Sequence, residues 1–165
     1  MRLGFALSPT PPTLEGQRWT GVRKAKPSDA TGETVHLVLR DLPADAAQDH
    51  AFTWFGDQIL PGDLPSPDEA RGMLLNMMDI PAEYETEFNE WYNEEHMVRL
   101  GAVDGAIRLR RFRAIVGAPR YLALYHLRDP AVVSQPAWAQ AADSPWTRRM
   151  QRYRVNQTRI VFTRA

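Results

Sequence analysis

The chain has 165 residues, enough for one hydrophobic core or for two small subdomains that share one. Its 20 lysines and arginines balance its 20 aspartates and glutamates, so net charge favours neither nucleic acid nor a membrane surface as a partner. The absence of cysteine excludes disulfides and thiolate chemistry, and no apolar run approaches the roughly 20 residues of a membrane span. Because the opening apolar run is too short for a secretory signal, we expect a cytoplasmic protein.

The first 70 residues contain strand candidates that resemble later ones. The segment VHLVLRDLPADAA (35–47) is similar to LALYHLRDPAVVS (122–134), which lies about 88 residues further on, whereas the opening strand RLGFALS (2–8) aligns with GMLLNMM (72–78) about 71 residues later. The difference, 88 minus 71, is 17 residues, about the length of one long helix. Residues 1–70 are therefore predicted to be a degenerate half-repeat that lacks its first helix. The alternative is that the similarity has no evolutionary meaning, because Arg-Asp followed by proline is a common sequence at the end of a strand.

A proline-rich segment at about 61–70 precedes the second half, where the elements are clearer. GMLLNMMDI (72–80) is a short apolar run that predicts a buried strand. Pro81 and Glu83 are typical of a first helical turn, and a helix should follow from about Ala82 to Arg99.

This predicted helix has one apolar face, because its large side chains recur at three- and four-residue intervals. The members of that face are Tyr84, Phe88, Trp91, Tyr92 and Glu95. The residues that lie largely outside it are Glu85, Asn89, Glu90, Asn93 and Glu94. One side of the helix is therefore expected to be buried on a sheet.

Two β-rich runs, on either side of residues 117–119, predict antiparallel neighbours. A segment with helical tendency follows Pro130 and is interrupted by Pro136 and Pro145, and Ser144 is a candidate N-cap for its last part. The terminal run VNQTRIVFTRA completes the order βαββαβ.

That order predicts an α+β fold: a ferredoxin-like unit with an antiparallel sheet and both helices on one face. The strand at 121–128 is apolar on both faces, so the face away from the helices also requires cover. The second sheet could come from residues 1–70, as tandem degenerate repeats, or from a second chain, and either arrangement would form an α+β barrel.

Five segments carry a family resemblance: EFNEWYNEEH, the turn at Asp104-Gly105, RLRRFRA, PRYLALYHLRDP and SPWTRRM. Together they resemble the EthD-like branch of the dimeric α+β barrel superfamily over about residues 72–165. The resemblance implies a domain at 71–165, with residues 1–70 packed against its sheet, and a small-molecule cavity between sheet and helices. Relatives in that superfamily include cofactor-free monooxygenases, lactone isomerases, polyketide cyclases and haem-handling proteins, so fold analogy alone does not select a reaction.

His96 is the main candidate for catalysis, because it lies one turn after Tyr92 at the edge of the buried stripe. Near a helix C-terminus its pKa should lie close to working pH, as a general acid or base requires. The alternative is a histidine that caps carbonyl groups and contacts Glu94 or Glu95. Tyr92 is the expected hydrogen-bond partner in catalysis.

Arg111 is the candidate anion stabiliser, from a basic run that begins at Arg108 and ends at Arg113. A slip in apolar parity between Leu109 and Phe112 predicts a bulge that could re-aim Arg110 or Arg111. The alternative is a solvated edge strand.

Five further residues are candidates for substrate binding: Trp91, Glu95, Tyr121, Tyr125 and Trp146. Aromatic rings with polar tips are typical of a pocket for an aromatic or polyketide-like ligand. Core packing is the competing interpretation, and it is favoured for Trp91. His126 should point to the opposite sheet face, as an interface histidine.

No nucleotide-binding or phosphate-loop motif occurs, and the four histidines show no close pair at metal-ligand spacing, so we expect neither a cofactor nor a metal. The predicted function is acid/base chemistry, without a nucleotide cofactor, on an aromatic, lactone or polyketide-like compound. Such a protein would be a cyclase, an isomerase or a monooxygenase-like enzyme, and a homodimer is expected. The alternative is a non-catalytic small-molecule-binding or stress-associated accessory protein.

Overall fold

The computed structural model describes residues 1–24 and 31–165, and eight strands form a closed antiparallel barrel within this one chain. The strands are β1 Arg2–Ser8, β2 Gln17–Arg23, β3 Glu33–Leu42, β4 Trp54–Leu60, β5 Gly72–Asp79, β6 Ala106–Val116, β7 Tyr121–Leu127 and β8 Val155–Arg164. Around the barrel their order is β1-β3-β2-β8-β5-β7-β6-β4. The predicted α+β barrel is confirmed, and its closure needs no second chain.

The two halves of the barrel have the same strand order. It is β4-β1-β3-β2 in the first half and β8-β5-β7-β6 in the second, which is the ferredoxin-like order in both. The third strands begin at Glu33 and Tyr121, 88 residues apart, in agreement with the sequence offset. The first half carries no helix in its connections 9–16 and 43–53. The division into a degenerate repeat at 1–70 and a domain at 71–165 stays our interpretation.

The barrel interior is filled by alternate side chains from both halves, including those of Trp19, Trp54, Phe112 and Phe162. The seams between the halves are the pairs β2–β8 and β4–β6. Since these side chains pack into one core, the halves depend on each other for burial.

The helices cover the outer face of the second sheet only. They are α1 Glu85–Trp91, α2 Met97–Gly101, α3 Pro136–Ala142 and α4 Pro145–Gln151, and 3-10 turns lie at Ala82–Tyr84 and Pro130–Ser134. Pro136 and Pro145 each begin a helix, and the Ser144 hydroxyl accepts a hydrogen bond from the backbone N–H of Thr147, as expected of an N-cap. Among the described residues no helix is long and apolar enough to cross a membrane.

The helical segment predicted at 82–99 contains a π-turn, Tyr92–His96, between α1 and α2. The backbone N–H of Met97 donates to the carbonyl of Tyr92, five residues earlier. The hydrogen-bonded turn therefore contains one residue more than a turn of α-helix. The segment continues to Gly101. This irregular turn coincides with the residues that the sequence marked as candidates, and such turns are frequent at functional sites.

The predicted bulge between Leu109 and Phe112 was wrong on the β7 side, where the pairing of these residues is regular. The irregularity in that pairing lies earlier, between Ala106 and Arg108. The apparent slip arises because adjacent arginines, Arg110 and Arg111, are both buried on opposite faces of β6. On the β4 side, however, the pairing does shift within this interval, between Gln58 and Leu60 opposite Phe112 and Arg111, with the extra residue on β4.

Candidate functional site

Polar side chains beneath the helical segment converge on two tyrosines. Tyr92 comes from the π-turn and Tyr125 from β7, and both are almost fully buried. The hydroxyl of Tyr92 lies 4.0 Å from the sulfur of Met78. That of Tyr125 has the Tyr92 hydroxyl as a polar neighbour, but it makes no hydrogen bond of normal geometry with any residue that the structure describes. We call this region, with Arg111, His96 and the two tyrosines, the helix–sheet site.

Burial raises the pKa of both phenols, and that of Tyr125 most strongly. The cause is desolvation, which disfavours the phenolate in an apolar interface. The guanidinium of Arg111 acts in the opposite direction on both tyrosines without offsetting burial. Both hydroxyls are therefore protonated at neutral pH and available as hydrogen-bond donors.

Arg111 lies against these rings and is held by two amides. Its Nη1 donates to Oδ1 of Asn93 at 2.6 Å, and its Nη2 donates to Oδ1 of Asn89 at 2.8 Å. The guanidinium carbon is 4.3 Å from the ring centroid of Tyr92 and 5.8 Å from that of Tyr121. This geometry fixes the cation, which is only 1% exposed, without neutralising its charge.

His96 is 7% exposed and lies beside the same rings, with centroids 4.4 Å from Trp91 and 5.2 Å from Tyr92. Its Nδ1 has no hydrogen-bond partner within the described part of the chain. Burial, followed by three nearby positive charges, lowers the pKa of His96 to about 3; these charges belong to Arg154, Arg111 and Arg99.

The expectation that His96 titrates near working pH was therefore wrong. The helical segment continues past His96 to Gly101, so the ring does not lie at an exposed helix end. A buried imidazole among cations is neutral at neutral pH.

Trp91 and Glu95 connect the helical segment to α4. The indole N–H of Trp91 donates to Oγ1 of Thr147 at 3.1 Å, and the Ser144 hydroxyl donates to the carboxylate of Glu95. Trp91 is completely buried. These contacts satisfy both side chains with protein partners, and the substrate-binding role predicted for them is untested.

Tyr121 and Trp146 lie toward the edges of the interface. The hydroxyl of Tyr121 donates to the carboxylate of Glu85 and accepts from Nδ2 of Asn89 at 3.3 Å. Nε1 of Trp146 donates to Glu87 at 3.2 Å. Asn89 therefore links Tyr121 to Arg111 by hydrogen bonds. Trp146 is partly buried and packs against the hydrophobic cluster between the helices and the sheet.

Sequence reasoning missed five polar residues of this region. They are Asn76, Asn89, Asn93, Arg154 and Arg159. Asn89 and Asn93 lie at the margin of the helical stripe, from which the long guanidinium of Arg111 reaches them. Partial burial lowers the pKa of Arg154, whereas Arg159 is exposed at the surface; both cations act on Tyr125. An alternation count on β8 would have placed Arg159 on the helix side, beside Asn76 on β5.

A second buried polar group lies inside the barrel. Arg110 is completely buried; its Nη2 donates to Asp41 at 2.5 Å and to Gln58 at 3.0 Å, and its Nη1 donates to Ser66 at 2.8 Å. His126 faces the interior as expected, and neither of its ring nitrogens has a partner among the described residues. Burial, followed by the charge of Arg110, lowers the pKa of His126 to about 3.

An open groove of about 720 Å³ runs over the seam between β2 and β8. Its described lining includes Thr20, Thr34, Gln157, Arg159, Val161 and Val133. Gln157 also donates to Oδ1 of Asn76 at 2.9 Å, so the groove adjoins the helix–sheet site. We call it the seam groove. No cluster of three or more metal-ligating His, Asp or Glu side chains occurs in residues 1–24 and 31–165.

No protein-family model matches the chain, and no curated protein matches it in sequence. Solved structures are similar in fold. A major regulator of staphylococcal pathogenesis superposes with a TM-score of 0.62 at 8% identity, over 100% of this chain and 99% of that chain. A haem-degrading enzyme from Listeria monocytogenes superposes with a TM-score of 0.62 at 7% identity, over 100% of both chains.

A dimeric chlorite dismutase from Nitrobacter winogradskyi superposes with a TM-score of 0.53 at 12% identity, again over 100% of both chains. At such identities the likeness is evidence of fold alone. The chain therefore shares an α+β barrel fold with these proteins, and the EthD-like resemblance stays a prediction.

Proposed function

We propose that the chain is a small-molecule enzyme of the EthD-like type, which acts at the helix–sheet site by acid/base chemistry on an aromatic, lactone or polyketide-like compound. The observation that carries this proposal is the set of unpartnered polar atoms in an apolar interface. Within the described residues, His96 Nδ1 is buried without a hydrogen bond, and the buried Tyr125 hydroxyl has only the Tyr92 hydroxyl as a polar neighbour, without a hydrogen bond of normal geometry. Each such group destabilises a fold by about 1–3 kcal/mol, so their presence together favours a functional role.

The roles follow from charge. Arg111 supplies a fixed positive charge beside Tyr92 and Tyr125, where it would stabilise an enolate or phenolate oxygen as negative charge develops. The two phenols would donate hydrogen bonds to the same oxygen. Neutral His96 would accept the proton that the substrate loses.

His96 is a weak base in the free protein, because burial disfavours its conjugate acid and because Arg154 and Arg111 repel it. Negative charge on the substrate would offset that repulsion, so proton transfer to His96 becomes favourable as the anion forms. The same electrostatic coupling suits an isomerase or cyclase, in which the proton returns to a different atom of the product.

Haem is a candidate ligand, because one structural neighbour is a haem-degrading enzyme. His96 would be its ligand in the helix–sheet site. The fit is poor: the His96 ring packs between Trp91 and Tyr92, both at most 1% exposed, and a macrocycle bound at His96 would have to displace both aromatic rings, which a much smaller compound would not. The seam groove has no His, Met or Tyr among its described lining residues. We therefore assign no step to haem.

Turnover of a panel of quinols, lactones and polyketide-like acids, measured by mass spectrometry of the products, tests the proposal. His96→Gln should abolish turnover, while the matched variant His50→Gln, at an exposed loop position, should retain it. Turnover that persists in His96→Gln would contradict the assignment.

The second candidate is a non-catalytic small-molecule-binding protein of the same fold. It is favoured by the contacts of Trp91 and Glu95 with α4, which are those of a packed interface. Retention of a panel compound without product, in wild type and in His96→Gln alike, would select it. The homodimer expected from the sequence stays a prediction, and gel filtration with light scattering would test it.

A further inference from the structure

The buried charge of Arg111 has no acidic partner in the part of the chain that the structure describes. Its hydrogen bonds go to the neutral amides of Asn89 and Asn93, and its other neighbours are the faces of aromatic rings. Buried charges in proteins are normally paired, because an uncompensated ion in an apolar region is strongly unfavourable. An anion from outside the chain would therefore be stabilised beside the Arg111 guanidinium.

The neighbouring residue is an internal comparison. Arg110 is buried to the same degree on the other face of β6, and there the chain supplies the carboxylate of Asp41 at 2.5 Å. The fold thus gives Arg110 a carboxylate partner and gives Arg111 only the oxygens of two neutral amides, one from Asn93 and one from Asn89. This contrast singles out Arg111 as a binding residue.

Two further arginines add to the same positive region. Arg154 and Arg159 act electrostatically on Tyr125, and neither forms an ion pair with a described residue. Arg159 also lines the seam groove, next to Gln157. In the sheet register Arg159 pairs with Asn76, Asn76 with Ala123, and Ala123 with Arg111, so one row of residues leads across the sheet from the seam groove to Arg111.

We propose that the molecule bound at the helix–sheet site is an organic monoanion, a carboxylate or an acidic phenol or enol, whose charged oxygens contact Arg111 and the Tyr125 hydroxyl and whose approach is along the seam groove. This inference rests on the proposed function for the location of the site, and it adds the charge of the ligand. The aromatic neighbours Phe88, Tyr92 and Tyr121 suit an unsaturated or aromatic body.

Isosteric amide-to-acid substitutions test it in the full-length protein. Asn93→Asp gives Arg111 an internal carboxylate without a change of shape, and it should raise the melting temperature by about 3 °C because the buried cation is then paired. Gln58→Glu is the matched control: it adds an acid beside Arg110, which already has Asp41, so no such rise is expected.

Naphthoate and its neutral amide, naphthamide, serve as probes in calorimetric titrations of wild type, Asn93→Asp and Gln58→Glu. Wild type should bind naphthoate at least about tenfold more tightly than naphthamide. Asn93→Asp should remove that preference, because the new carboxylate competes for Arg111, and Gln58→Glu should keep it.

Equal binding of the two probes by wild type would overturn the inference on charge while leaving a small-molecule site in place. Binding of neither probe up to about 1 mM, together with a lowered melting temperature in Asn93→Asp, would overturn the anion inference. The proposed function would then be decided separately by the turnover of His96→Gln.

Discussion

Acidification should destabilise this protein through its two buried histidines. His96 and His126 each have a pKa of about 3 in the folded chain, against 6.5 for an unperturbed imidazole. Between these two values the unfolded state binds one more proton per histidine than the folded state does. Their contribution to stability is therefore complete above about pH 6.5 and is lost as the pH falls toward 3.

The magnitude follows from the proton difference. Each pH unit below 6.5 costs about 1.4 kcal/mol per histidine, so at about pH 5 each histidine has lowered the free energy of unfolding by about 2 kcal/mol. The two together account for about 4 kcal/mol, a large part of the roughly 5–15 kcal/mol that holds an ordinary domain folded. Above about pH 5 most carboxylates remain ionised, so this window isolates the histidines.

Urea unfolding at about pH 7.5 and pH 5, followed by tryptophan fluorescence, measures the difference for each variant. His96→Gln and His126→Gln should each halve the wild-type loss, and the double variant should lose almost nothing, whereas His50→Gln should behave as wild type. Because each variant is compared with itself at two pH values, a general loss of stability cancels. An acid sensitivity that is unchanged in the double variant would refute the reasoning.

Three further substitutions test other parts of the structure. Asp41→Asn should lower the free energy of unfolding by about 3 kcal/mol in urea titrations, because it leaves the Arg110 guanidinium buried without its carboxylate; a loss below about 1 kcal/mol would argue against that pair. Ser144→Ala should remove the N-cap of α4 and lower the same quantity by about 1 kcal/mol, and an unchanged midpoint would disprove the cap. Gly72→Ala would bring a Cβ to 2.3 Å from the backbone nitrogen of Pro130, so we expect a loss of about 2 kcal/mol or more, seen as a lower calorimetric melting temperature; normal stability would contradict this close approach.

The fold of the second half could be predicted because its signals are local. The stripe at Phe88, Trp91 and Tyr92 and the prolines at the helix starts depend only on neighbouring residues. The strand at 121–127 also revealed its two buried faces by alternation. Helix length and strand order followed from these signals.

The pairing of the arginines could not be predicted in the same way. Asp41 lies 69 residues from Arg110 in the sequence. The two side chains meet only because the two halves of the chain close into one barrel. Asn89 and Asn93 were assigned outside the buried stripe, since periodicity describes where a Cβ points and not how far an arginine extends.

The protonation of His96 also depended on long-range structure. Helix position suggested a stabilised imidazolium, but Arg111 and Arg154 come from β6 and from the turn before β8, and their charges add to the effect of burial. The seam groove was equally invisible in sequence, because it forms where a helix-covered sheet meets one without helices.

A crystal structure of the protein with naphthoate tests the central claim most directly. The account predicts the carboxylate within hydrogen-bond distance of the Arg111 guanidinium and the Tyr125 hydroxyl, with the naphthyl ring against Tyr92. Naphthoate bound only elsewhere, with Tyr125 and His96 enclosed by protein side chains alone, would contradict it.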